Sequence, residues 1–122
     1  MRVFMYQIDF QHPIHIYFIG IGGISMSGLA EILLDEGFRV SGSDIRPSAL
    51  TQSLEQKGAA VYYGQKASNL TGDIDLAVYT SAIHPDNPEF IAMKEQSIPS
   101  LTRAELLGQM MKNYEIPIAV SG

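Results

Sequence analysis

The chain has 122 residues, 46% hydrophobic and 17% charged, with 13 acidic side chains against 8 basic ones and no cysteine. That length fits one domain with a single core. The net charge of −5 argues against nonspecific nucleic-acid binding, the lack of cysteine excludes disulfides and thiolate metal sites, and no apolar run reaches the ~18 residues of a membrane span.

Residues 1–13 carry no clear period and read as a tail or short edge segment, without the long apolar stretch of a signal peptide. Ile14 to Ile19 is a near-continuous apolar run, the pattern of a strand buried on both faces of a parallel sheet. A glycine-rich turn follows, then Met26, Leu29, Ala30 and Leu33 at the spacing of one helix face, closed by Gly37. Phe38 to Ser43 predicts a second strand. Pro47 suits the first turn of a helix with Leu50 and Leu54 inside, ending at Gly58. Ala59 to Tyr63 predicts a third strand, Gly64 to Gly72 a loop with one helical turn, and Leu76 to Tyr79 a fourth strand. A helix is expected from Asn87 through Lys94, and a brief strand over Ile98 to Ser100. Thr102-x-x-Glu105 is a capping box heading a helix with Leu106, Leu107, Met110 and Met111 inside. Ile116 to Val120 reads as one more buried strand. Alternating strands and helices with short connections predict an α/β fold: a three-layer, Rossmann-like domain on a mainly parallel sheet of about five strands.

The strand–glycine–helix passage, Ile14 to Gly28, is the strongest chemical signal. Bare backbone N–H groups and a helix N-terminus form a phosphate cradle. The third glycine of a dinucleotide fingerprint is replaced by Ser25, which predicts slightly looser helix–sheet packing and leaves the Ser25 and Ser27 hydroxyls as phosphate donors. Asp44 ends the second strand, where an acid meets a ribose hydroxyl or a base edge, or else caps the next helix. Thr80-Ser81-Ala82-Ile83 lies at the end of the fourth strand, so all three stretches fall at the carboxyl ends of strands, where open parallel sheets bind ligands. Arg103 opens the last helix, either facing a diphosphate or solvated. Three scattered histidines make no metal site, and no catalytic carboxylate pair, Ser/His/Asp set or phosphate-binding lysine loop is visible. From the residues alone, a dinucleotide-binding domain of an NAD(P)-dependent oxidoreductase and a nucleotide-sensing module both remain open.

These stretches together resemble the N-terminal domain of the UDP-N-acetylmuramate–L-alanine ligases of peptidoglycan synthesis. The resemblance is carried by Phe18 to Gly28, Val40 to Asp44, Ser81 to Ile83, Asn87 to Glu89, Arg103 to Glu105 and Ile118 to Gly122. A muropeptide-recycling ligase is the near alternative, but its glycine turn usually carries a Cys-Gly pair, absent here. The resemblance implies that the domain binds the UDP part of UDP-N-acetylmuramate. Gly22, Gly23, Ser25, Met26 and Ser27 would line the diphosphate, Asp44 with Ser43 beside it the uridine, and Ser81, Ala82 and Ile83 the opposite wall. Gln65 stands where the family commonly has histidine, and Ser25 where it commonly has glycine. The resemblance further implies domain limits of 14–115, with 116–122 as the first strand of a central ATPase domain whose ATP loop would begin just past Gly122. ATP, Mg²⁺ and L-alanine would then belong to a cytoplasmic, three-domain parent. The chain alone would need no cofactor or metal and have no activity, touch neither nucleic acid nor membrane, and have its last strand pair onto the edge of this domain's sheet, swap into a dimer, or be disordered.

Overall fold

The computed structural model describes residues 5–115. Five strands, β1 (His15–Ile19), β2 (Arg39–Asp44), β3 (Ala60–Tyr63), β4 (Leu76–Tyr79) and β5 (Ser100–Thr102), form one sheet in the order β3-β2-β1-β4-β5, every pair parallel. Four helices connect or follow them: α1 (Ile24–Asp35), α2 (Ala49–Gln56), α3 (Pro88–Glu95) and α4 (Arg103–Asn113), with a 3-10 turn at Ala67–Asn69. The strand expected over Ile116 to Val120, and any pairing or dimer through it, lies outside the described residues.

The alternation of β1 builds two cores. Ile16 and Phe18 face α1, α2 and α4, packing with Leu29, Leu33, Leu54, Leu106 and Met110. Tyr17 and Ile19 face the other layer, with Leu70, Ala92 and Met93 from the 3-10 segment and α3. This is the expected three-layer α/β architecture. The order reverses between β1 and β4, and their carboxyl ends open a crevice at that switch point.

α1, α2 and α3 end by one device. The residue past each cap has a positive φ (Gly37 +92°, Gly58 +110°, Ser97 +56°). The next amide then returns to the last turn: Phe38 to Leu33, Ala59 to Leu54 and Ile98 to Met93, at 2.9, 3.0 and 3.0 Å. This explains why β5 starts two residues later than expected: the Ile98 amide is still closing α3. Ser97 is the one non-glycine in this role. Ser97→Gly is expected to stabilise the fold by roughly 0.5 kcal/mol, relief of left-handed strain outweighing glycine's chain entropy. A urea midpoint that stays or falls would contradict this.

Two further expectations change. α2 begins at Ala49, not at Pro47, because Ser48 Oγ accepts the Thr51 amide at 3.2 Å while Thr51 Oγ1 accepts that of Ser48 at 2.9 Å. Leu50 and Met111, expected inside, are 39% and 62% exposed, each lying on the outward flank of its helix. The box at Thr102 and Glu105 forms as expected, each side chain accepting the other's amide.

Segment 5–13 is irregular but fastened. The buried Gln109 side chain of α4 accepts the Ile8 amide at 2.9 Å and donates to the Tyr6 carbonyl at 2.6 Å, imitating a strand partner. Phe10 stands edge-on to Phe38 and Tyr114. At the amino ends of the strands, His15 Nδ1 faces the Asp73 carbonyl at 3.0 Å, its Nε2 meets Ser41 Oγ at 2.6 Å, and Arg39 pairs with Asp73 at 2.7 Å. A carbonyl only accepts, so Nδ1 carries the hydrogen. His15 is thus a buried structural residue, remote from the crevice.

Candidate functional site

The glycine turn leaves β1 through Gly20, whose φ of +86° suits glycine. The Gly20 and Ile21 amides both donate to the Ser43 carbonyl, at 2.9 and 2.8 Å. That of Gly22 donates to Asp44 Oδ2 at 2.7 Å, and that of Gly23 to the Gly20 carbonyl at 3.3 Å. The turn therefore spends its own amides on holding its shape against the end of β2. A Cβ on Gly22 would strike the Asp44 carboxylate and come within 2.9 Å of Thr51 Cγ2.

The anion-facing donors lie one step further on. α1 starts at Ile24 behind Gly23, with no capping side chain and no acid in its first turn. Among the described residues nothing accepts the amides of Ile24, Ser25 and Met26. Three N–H groups and the positive end of the helix dipole are thus left open at the crevice. Arg103, first residue of α4, reaches over from the end of β5 and donates from Nη1 to Ser25 Oγ at 3.1 Å. No carboxylate among the described residues pairs with it. A guanidinium and three open amides beside one hydroxyl suit a doubly charged oxyanion.

The other expected site residues divide by where their side chains point. Ser25 is exposed at the mouth, so the loosened packing expected from it does not arise. Ser81 and Ala82 are exposed and Ile83 half-buried in the turn that follows β4. Asp44 sits at the rim, its Oδ1 accepting the Ile45 amide at 2.7 Å; Ser48, not Asp44, caps α2. Met26 is buried in the core and offers only its amide. Ser27 turns its hydroxyl to the Ile24 carbonyl at 3.1 Å and lies in a groove between α1 and α2, away from the crevice. Ser43 is fully buried, its hydroxyl donated inward to Glu89 Oε1 at 2.6 Å. Gln65 lies between Ser43 Oγ and Asn87, donating to the first at 3.3 Å and accepting from the second at 2.8 Å.

Glu89 is the residue that sequence reasoning passed over. It stands in the first turn of α3, where an acid is ordinarily a solvated partner of the helix dipole. Instead it is fully buried, with Tyr17 Oη, Asn69 Nδ2 and the Lys66 amide donating to Oε2 at 2.9, 2.7 and 3.2 Å. Burial raises the pKa of the Tyr17 hydroxyl far above the usual phenol value, and the charge of Glu89 adds to the shift. The only sequence signal was Asn87-Pro88-Glu89, which marks a helix start but not a buried acid.

Residues 15–115 match the family described as "Mur ligase family, catalytic domain". The chain belongs to the Mur ligase family. It is 66% identical, over 118 residues, to the UDP-N-acetylmuramate–L-alanine ligase of Agathobacter rectalis, a match spanning 97% of this chain and 26% of that protein. Among solved structures it resembles the UDP-N-acetylmuramate–alanine ligase of Thermotoga maritima, with a TM-score of 0.77 and 31% identity over 82% of this chain and 23% of that one. It also resembles the UDP-N-acetylmuramate:L-alanyl-γ-D-glutamyl-meso-diaminopimelate ligase of Neisseria meningitides, with a TM-score of 0.73 and 31% identity over 80% of this chain and 31% of that one. The Mur ligase chain described here spans about a quarter of the length of its curated relatives.

Proposed function

We propose that this Mur ligase domain binds the UDP moiety of UDP-N-acetylmuramate, with the diphosphate between the first turn of α1 and Arg103. The convergence of that arginine and the free amides of Ile24, Ser25 and Met26 on one point carries the reading. The names of its relatives supply the sugar nucleotide and the reaction. In this reading Asp44 stands at the uridine side and Ser81, Ala82 and Ile83 close the opposite wall. Gly22, Gly23 and Ser43 act through the backbone they shape. Ser27 serves the α1–α2 packing.

Within a longer cytoplasmic enzyme, the domain would hold the substrate while its muramoyl carboxylate is joined to L-alanine. ATP with Mg²⁺ supplies the activation of that carboxylate, and we assign both to chain outside the region described here. The domain's own work is to bind, neutralise and orient the diphosphate.

Calorimetric titration of the 122-residue chain with UDP, UDP-N-acetylmuramate and NADH tests this. Both uridine nucleotides are expected to bind and NADH not to, and the chain is expected to release no ADP from ATP with both substrates present. NADH binding without UDP binding would overturn the proposal.

A further inference from the structure

The end of β2 is the mould of the glycine turn, and its own position is set from the opposite layer of the domain. Ser43 offers its carbonyl to two turn amides, and its neighbour Asp44 takes the third. With no exposed surface, Ser43 has its orientation fixed by what its hydroxyl touches. That hydroxyl donates to Glu89 Oε1 and accepts from Gln65 Nε2. Gln65 is tied through its oxygen to Asn87, and Asn87 Oδ1 accepts the Glu89 amide at 2.9 Å. Ser43, Glu89, Asn87 and Gln65 therefore close a ring of hydrogen bonds between β2, the end of β3 and the start of α3. Glu89 also gathers donors from β1 and from the 3-10 segment, Lys66 just before the turn and Asn69 at its end.

A buried carboxylate with no cation against it among the described residues is a costly way to fill space. An apolar side chain of similar volume often packs there with equal or greater stability. What the carboxylate does that no apolar group can is to accept four donors from three parts of the chain at once, fixing their relative positions.

We propose that Glu89 is a positioning residue for the nucleotide: through Ser43 it sets the strand end that folds the glycine turn and aims the open amides of α1. This rests on the UDP-binding reading above. It also predicts a coupling within the protein that stands without any ligand.

The test compares Glu89→Gln, Ser43→Ala and the double variant with the parent chain. It uses UDP titration, hydrogen exchange of the Gly20, Ile21 and Gly22 amides, and exchange of the Asp75 amide as a remote reference. Asp75 donates to the His15 carbonyl at 2.9 Å, at the amino end of the sheet. Glu89→Gln keeps the shape but turns one acceptor into a donor facing donors. It is expected to weaken UDP binding at least tenfold and to speed exchange of the three turn amides at least tenfold, with Asp75 unchanged. Ser43→Ala gives the same pattern more weakly, and the double variant is no worse than Glu89→Gln, because both cut one path. Uniform acceleration of all four amides would overturn the proposal, since that is general destabilisation. So would a folded Glu89→Gln variant with turn exchange and UDP affinity within twofold of the parent. If Glu89→Gln does not fold, Ser43→Ala decides by the same readouts. If the parent itself does not bind UDP, the ligand reading fails alone, and turn exchange still decides whether Glu89 sets the turn.

Discussion

Gly42→Ala is expected to lower the free energy of unfolding by about 3 kcal/mol, a large share of the ~5–15 kcal/mol that holds a typical domain together. Glycine inside a strand is normally a weakness that alanine repairs by somewhat under 1 kcal/mol. Here the sign reverses. Gly42 lies in β2 between β1 and β3, opposite Phe18 and Val61. A Cβ there would stand 2.6 Å from the Phe18 carbonyl oxygen and 2.8 and 2.9 Å from Cβ and Cδ1 of Ile21. The carbonyl is backbone and cannot swing aside as a side chain would. Ile21 is fully buried at the entry to the glycine turn, so relief means displacing the turn itself. Urea unfolding measures the effect, and a midpoint equal to or above the parent's would show the strand gives way more cheaply than its geometry implies. UDP binding should fall in the same variant.

Arg103→Ala is expected to weaken UDP binding about 30-fold, the roughly 2 kcal/mol of a charge-assisted contact to a phosphate. The fold should be indifferent. The Arg103–Ser25 bond joins exposed groups, and the start of α4 is secured independently by Thr102 and Glu105. Arg103→Lys should recover part of the loss, keeping the charge but not the planar fork. Titrations at low and high salt give the second readout, since removing a phosphate-facing cation flattens the salt dependence. Affinity within twofold of the parent would place the diphosphate elsewhere.

Most of the fold was legible because its signals are local. Apolar runs such as Ile14 to Ile19 mark buried strands, and Gly37, Gly58 and the Thr102–Glu105 box mark helix ends within a few residues of chain. β5 was misplaced because α3 ends on Ser97, a residue that does not advertise a left-handed turn. The site was legible in place but not in detail. Its location follows from strand ends at the switch point. Which amides stay free depends on a carbonyl at Ser43, more than twenty residues past the turn. Arg103 meets Ser25 from 78 positions away. The inward hydroxyls of Ser27 and Ser43 look like any other serine at the level of residue type. The burial of Glu89 has no periodic or compositional trace, since it comes from donors on three separate elements.

The polar cluster of His15, Ser41, Arg39 and Asp73 closes the amino ends of the strands, and the crevice opens at their carboxyl ends. The five residues of β1 set the two apart by roughly 16 Å at ~3.3 Å per residue. Sites at that separation with no shared partner contribute independently. A substitution in the cluster should therefore shift the unfolding midpoint and leave nucleotide affinity where it was. Gly42 lies beside the crevice, and at that position the two quantities move together. The amino-end cluster can therefore be varied by engineering or drift while recognition at the other end of the sheet is held fixed.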